Sequence, residues 1–201
     1  MRIVPLLLTG LLLGGCEPIM PFDRSDEAEE PEFGETDRMQ AAPGASIIDT
    51  TPGFLKVGAL TVRDHRPQGV VDLAKLLAKS SNVGSAMIGL AMGAENVWSG
   101  YQRFGLGERI DLAFPGEVSP VLRHFTEWGQ IATATASYGY GLSVSALHLV
   151  RAYAAMANDG LMPKLTLVSG GVQPPPQRVL SASTARSVRH LLESVVSADG
   201  T

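Results

Sequence analysis

From Val70 to Phe104 apolar side chains recur at helical spacing in three successive stretches, and each stretch is cut by a short polar or glycine-bearing run. A period near 3.6 with regular breaks predicts a set of short amphipathic helices packed on one core, rather than a β-sandwich or a long coiled coil. The first helix sets Val70, Leu73, Ala74 and Leu77 on one face, with Lys75 and Lys79 toward its C-terminal end, where cations suit the helix dipole. Ser80-Ser81-Asn82 interrupts the pattern. A second helix from about Val83 turns Met87, Leu90 and Ala91 inward, and a third groups Val97, Tyr101 and Phe104 before Gly105-Leu106-Gly107 stops it.

The same reading extends to both sides. Phe54 to Asp64 partly alternates about Gly58 and predicts a hairpin or an extended edge. After Ser143 a helix places Leu147, Val150 and Ala154 in register and ends at Asn158-Asp159-Gly160. Pro174-Pro175-Pro176 is a stiff connection, and a last helix from about Ser183 sets Val188, Leu191, Leu192 and Val195 on one side. No internal repeat is present. With 201 residues, 45 % of them hydrophobic, the chain can bury one core of ordinary size. The net charge of −4 and the scattered basic residues exclude the one-sided positive face of a nucleic-acid binder.

The N-terminal region is different. Met1-Arg2, an apolar stretch from Ile3 to Leu13, and Gly14-Gly15-Cys16 have the layout of a secretory signal, too short for a permanent membrane span. Leu13-Gly14-Gly15-Cys16 resembles a bacterial lipobox, in which Cys16 would be lipidated and become the mature N-terminus. The alternatives are a cleaved signal with an incidental cysteine, or a start codon assigned at the wrong place. Cys16 is the single cysteine, so no intrachain disulfide forms. Residues 17–45 carry the acidic run Asp26-Glu27-Ala28-Glu29-Glu30-Pro31-Glu32 and few large apolar side chains, the composition of a disordered, solvated tether. An acidic partner-binding tail is the other reading. The expected organisation is a lipoprotein-type signal over 1–16, the tether over 17–45 and one domain over 46–201.

Chemistry rests on Ser80-Ser81-Asn82, where polar side chains emerge between two amphipathic helices. Ser and Asn at a helix start ordinarily cap backbone N–H groups, and in isolation that is the reading of these three. Context alters it. Lys79-Ser80-Ser81-Asn82-Val83-Gly84 resembles the segment carrying the second active-site motif of class B penicillin-binding proteins, especially the septal type of Gram-negative bacteria. Six further stretches agree with that family in order and spacing. They are Ile48-Asp49-Thr50-Thr51-Pro52-Gly53, Val62-Arg63-Asp64, Tyr101 to Gly107, Phe114-Pro115-Gly116-Glu117, Tyr138-Gly139-Tyr140-Gly141-Leu142-Ser143-Val144, and Ala152 to Gly160.

The resemblance covers residues 46–201. It implies the penicillin-binding, serine β-lactamase-like α/β fold, represented mainly by its helical subdomain with an incomplete sheet. It also implies acyl transfer, in which a nucleophilic serine attacks the D-Ala-D-Ala bond of a peptidoglycan stem peptide, and a β-lactam mimics that substrate. The family uses Ser-x-x-Lys, Ser-x-Asn and Lys-Thr/Ser-Gly. A serine hydroxyl is a poor nucleophile until a base takes its proton, which the first motif's lysine helps to do. The Ser-x-Asn serine relays the proton toward the leaving amine, and its asparagine holds a substrate amide. Carried over, Ser80 matches the relay serine, Asn82 the amide-binding asparagine, and Ser81 the residue between; Lys79 only solvates a helix end.

The first and third motifs are absent. The lysines are Lys56, Lys75, Lys79 and Lys164, and the residues three places earlier are Gly53, Asp72, Leu76 and Leu161. Where the family has its nucleophile, this sequence has its signal and tether, and it stops at Gly200-Thr201 short of the third motif's strand. The expectation is a truncated transpeptidase domain of peptidoglycan synthesis and cell division, inactive alone because a catalytic unit does not keep activity in proportion to the groups retained. The alternative is a non-catalytic lipoprotein that binds cell-wall synthesis or division proteins. An active enzyme of another class is the third reading. The expected location is the bacterial cell envelope, on the periplasmic side, held by the lipid anchor. Exposed apolar surface is expected where strands of the family fold are missing. Glu117, Glu127 and Asp111 are read as solvated or capping groups rather than acids and bases, Tyr138 and Tyr140 as packing and turn residues. His65, His124, His148 and His190 lack metal-ligand spacing, so neither a metal nor another cofactor is assigned.

Overall fold

The computed structural model describes residues 39–42, 45–112, 114–167, 175–196 and 200, with side chains from Ile47 onward. The signal, Cys16 and the acidic run lie outside the described residues. The end of the stretch read as tether is a strand: β1 (Met39–Ala42) pairs antiparallel with β2 (Ala45–Asp49), Met39 opposite Ile48 and Ala42 opposite Ala45. The sequence explains the difference. Charges end at Arg38, and Met39 to Ile48 is uncharged, so nothing repels the partner strand while the ladder satisfies backbone N–H and C=O groups.

The hairpin forms as the alternation predicts. In β3 (Phe54–Val57) and β4 (Leu60–Arg63), Leu55, Val57 and Val62 point into the core, and Gly58 takes the positive φ (56°) that the turn requires. Val70 departs from expectation. It belongs to β5 (Val70–Asp72), whose Val71 pairs opposite Ile48 of β2, and its side chain is 60 % exposed. The helix starts after it because Asp72 is the N-cap, its carboxylate accepting from Lys75 N–H at 2.7 Å.

Helix α1 (Leu73–Lys79) buries Leu73, Leu76, Leu77 and Ala78. Helix α2 (Asn82–Met92) is enclosed from Val83 to Gly89 by β4, the helix that follows it and α4 (Gln130–Ala136), so its burial runs around the helix instead of along one stripe. It emerges in its last turn, where Leu90 is half-buried and Ala91, expected inward, is exposed. Helix α3 (Ala94–Arg103) brings Val97, Tyr101 and Phe104 together in full burial. The Tyr101 hydroxyl donates to Ala136 O at 2.5 Å, tying α3 to the end of α4, and burial pushes its phenol pKa up.

A short ladder joins β6 (Val121–Leu122) to β7 (Leu142–Ser143). Helix α5 (Ala146–Ala157) has the predicted span but the opposite face inward. His148, Ala152, Ala155 and Met156 are buried, whereas Leu147 is 45 % and Val150 58 % exposed. Apolar residues encircle this helix, so periodicity allows two faces, and the small Ala152 and Ala155 let it lie close to its neighbours. Strands β8 (Leu161–Met162) and β9 (Gln177–Arg178) pair, and α6 (Ala182–Glu193) buries Val188 with Leu191 and Leu192 half-buried, while Val195, also half-buried, falls in the 3-10 turn Ser194–Val196 that follows. Among the described residues no helix is long and apolar enough to cross a membrane.

Candidate functional site

The Ser80-Ser81-Asn82 turn sits where α1 hands over to α2. Ser80 is the C-cap of α1, in the left-handed region (φ 54°, ψ 49°), with its N–H directed to the carbonyls of Leu76 and Leu77. A non-glycine residue held there marks a backbone that its surroundings over-determine. Its side chain is half-buried, and no hydrogen bond engages its hydroxyl among the described residues.

Ser81, which the sequence leaves as a spacer, is the N-cap of α2 and 1 % exposed. Its Oγ accepts from Gly84 N–H at 2.9 Å and donates to Asp64 Oδ2 at 2.7 Å. Asp64 Oδ1 accepts from Val83 N–H at 3.0 Å. Asn82 opens α2 and donates through Nδ2 to the Arg63 carbonyl at 3.1 Å. A carbonyl only accepts, so the amide must face it with nitrogen. Among the described residues no other hydrogen bond engages the second Nδ2 hydrogen or Oδ1. Two consecutive residues leaving β4 thus hold the three that follow Ser80. Capping, the plain reading of this motif, is true of Ser81; Ser80 and Asn82 keep polar capacity beyond it.

Asp64 is the residue the sequence reading missed. It closes the stretch Val62-Arg63-Asp64, and the one available signal was a carboxylate directly after a predicted strand.

Glu117 and His148 have structural partners. Glu117 Oε1 accepts from Ile110 N–H (2.8 Å) and Asp111 N–H (3.0 Å), and Oε2 from Leu112 N–H (3.2 Å), with Arg109 at 3.8 Å. Desolvation alone would raise its pKa; the three backbone donors and Arg109 together prevail and hold the carboxyl below the usual range. It organises a loop, as its capping reading states. Asp111 occupies a positive-φ turn position in that loop, and Glu127 ends an exposed 3-10 turn. His148 Nε2 donates to Glu108 O (2.9 Å), and Nδ1 lies 2.7 Å from Ser145 Oγ, so this buried ring is a structural bridge. Lys79 ends α1. Tyr138 is half-buried and meets Tyr140 edge-on at 5.6 Å, while Gly139 and Gly141 supply positive-φ turn positions. Tyr140 is 67 % exposed and borders a cavity of about 350 Å³ with Arg123, Trp128, Ile131 and Thr135; neither Ser80 nor Asn82 lines it.

Comparison with known proteins follows the same segments. Residues 45–201 match the profile of the family described as penicillin binding protein transpeptidase domain. The chain is 40 % identical over 154 residues to the probable peptidoglycan D,D-transpeptidase PenA of Neisseria gonorrhoeae, a match covering 77 % of this chain and 26 % of that protein. It is 35 % identical over 150 residues to the peptidoglycan D,D-transpeptidase FtsI of Escherichia coli (strain K12), covering 75 % and 25 %. The chain thus spans about a quarter of the length of these curated relatives. A solved structure of the TP domain from Burkholderia pseudomallei penicillin-binding protein 3 superposes with a TM-score of 0.76 at 32 % identity, covering 98 % of this chain and 53 % of that one.

Proposed function

This chain belongs to the penicillin-binding protein transpeptidase family, of class B type, and we propose that it carries the Ser-x-Asn part of a D,D-transpeptidase site that recognises substrate without acylation. In this reading Ser80 and Asn82 meet the D-Ala-D-Ala end of a stem peptide, or the amide of a β-lactam. The observation that carries it is the Ser80-Asn82 turn itself: a hydroxyl with no hydrogen-bond partner among the described residues, in a left-handed turn, beside an amide oriented by Arg63 O. A strained polar turn at a helix junction points to function more than to stability.

These 201 residues form no acyl-enzyme by themselves, because no lysine has a serine or threonine three residues before it to act as an activated nucleophile. An NMR titration of the full chain with a peptide ending in D-Ala-D-Ala tests the recognition step. Shift changes centred on Ser80 and Asn82, with affinity reduced in Asn82→Ala, support it; an unperturbed turn at millimolar peptide contradicts it.

In the same proposal the domain lies on the periplasmic side of the cell envelope, tethered through a lipidated Cys16, a reading supported by Leu13-Gly14-Gly15-Cys16. Incorporation of labelled palmitate that Cys16→Ala abolishes is the expected result, and incorporation unaffected by the substitution contradicts the anchor.

One observation favours docking of a cell-wall synthesis or division protein as a second reading: Leu147, Val150 and Tyr153 form an outward apolar stripe on α5. A photo-crosslinker at position 150 in intact cells should capture such a protein, and capture of solvent-quenched product alone contradicts this reading.

A further inference from the structure

We infer that Asp64 is a positioning residue for the Ser80-Asn82 turn, an assignment that deepens the site reading above and rests on it for its functional meaning. Asp64 is itself anchored before it reaches the turn. Its predecessor Arg63 is locked in the β3–β4 ladder opposite Phe54, and its own N–H donates to Gly53 O at 3.0 Å. From that fixed point the carboxylate straddles Asn82, one oxygen taking the Ser81 hydroxyl and the other the Val83 N–H.

Both oxygens must accept. Ser81 Oγ already accepts from Gly84 N–H, so its own proton is directed to Asp64, and Val83 N–H is one of the donors that a helix start leaves without an intrahelical partner. An ionised carboxylate satisfies both at once, with the added strength of a charged acceptor. An asparagine offers one oxygen and must present an NH2 group to one of the two donors. The chain of restraint is then continuous: ladder, Asp64, Ser81 and Val83 on either side of Asn82, and Ser80 caught between that clamp and the α1 carbonyls. Without the clamp, Ser80 is free to leave its left-handed conformation and Asn82 loses its fixed aim.

Amide hydrogen exchange by NMR on the full chain, in wild type, Asp64→Asn and Asp64→Ala, separates positioning from general stability. The expected result is about tenfold faster exchange at Val83 and Gly84 in Asp64→Ala, an intermediate change in Asp64→Asn, and unaltered exchange at Tyr101 and Met156. Affinity for the D-Ala-D-Ala peptide should fall in the same order. Unchanged protection at Val83 and Gly84, or an equal loss at all four amides, overturns the assignment. If Asp64→Ala does not fold, Asp64→Asn decides alone: it must accelerate Val83 or Gly84 selectively. Failure of the wild type to bind peptide would sink the site reading, while the exchange pattern would still decide whether Asp64 holds the turn.

Discussion

Gly89 of α2 faces Ser137 at the end of α4 so closely that a side chain on the glycine would overlap the serine Oγ and lie 2.6 Å from its Cβ. Ser137 cannot yield easily, being fully buried with its hydroxyl donating to Thr133 O at 2.7 Å. Gly89→Ala should therefore cost about 1–3 kcal/mol or more through overpacking, read as a lower urea midpoint at constant slope. Adding Ser137→Gly should recover much of the loss. A Gly89→Ala protein as stable as wild type would mean that the two helices do not meet here.

The face that α5 turns inward makes a sharp pair of predictions. Val150→Lys places a charge on an exposed position and should change stability by less than about 0.5 kcal/mol. Ala152→Lys would bury an unpaired ammonium where Ala152 is 1 % exposed, and should abolish cooperative thermal unfolding. The reverse ranking would restore the face that periodicity favoured.

Acid should weaken the fold. The hydrogen bond from Arg189 is the main cause that holds Asp159 below the usual carboxyl range; partial desolvation opposes it, and the charges of Arg189, Arg186 and Arg178 add to it. Glu117 is lowered too, as described above. Both carboxyls bind protons less readily folded than unfolded, so their contribution is present above the ordinary carboxyl pKa and is lost as pH falls through the folded values. Urea midpoints should be level from pH 7 to about 5 and decline below, and less steeply in Glu117→Gln. Stability that rises on acidification would contradict this.

What was legible in the sequence was local. The hairpin could be read because alternation and Gly58 lie within eleven residues, Phe54 to Asp64, and the break at Ser80 because three polar residues interrupt a helical stripe. The capping reading of Glu117 was available from residue type. Val70 was misplaced because its strand exists only through pairing with β2, some twenty residues earlier, while its spacing to Leu73 mimics a helix. Leu147 and Val150 share a helical face, as the period requires, but period does not choose between two apolar faces. Asp64 and Ser81 are 17 positions apart with no periodic relation, so their bond becomes visible only once β4 and α2 are packed.

Under the proposed function, Ser80 and Asn82 are held in place while these 201 residues form no acyl-enzyme. The most direct test is covalent labelling of the purified protein by a fluorescent penicillin, read on a denaturing gel beside heat-denatured protein. The account predicts no label above the denatured control; a specific label that heat denaturation removes would show that another side chain acts as nucleophile and would contradict it.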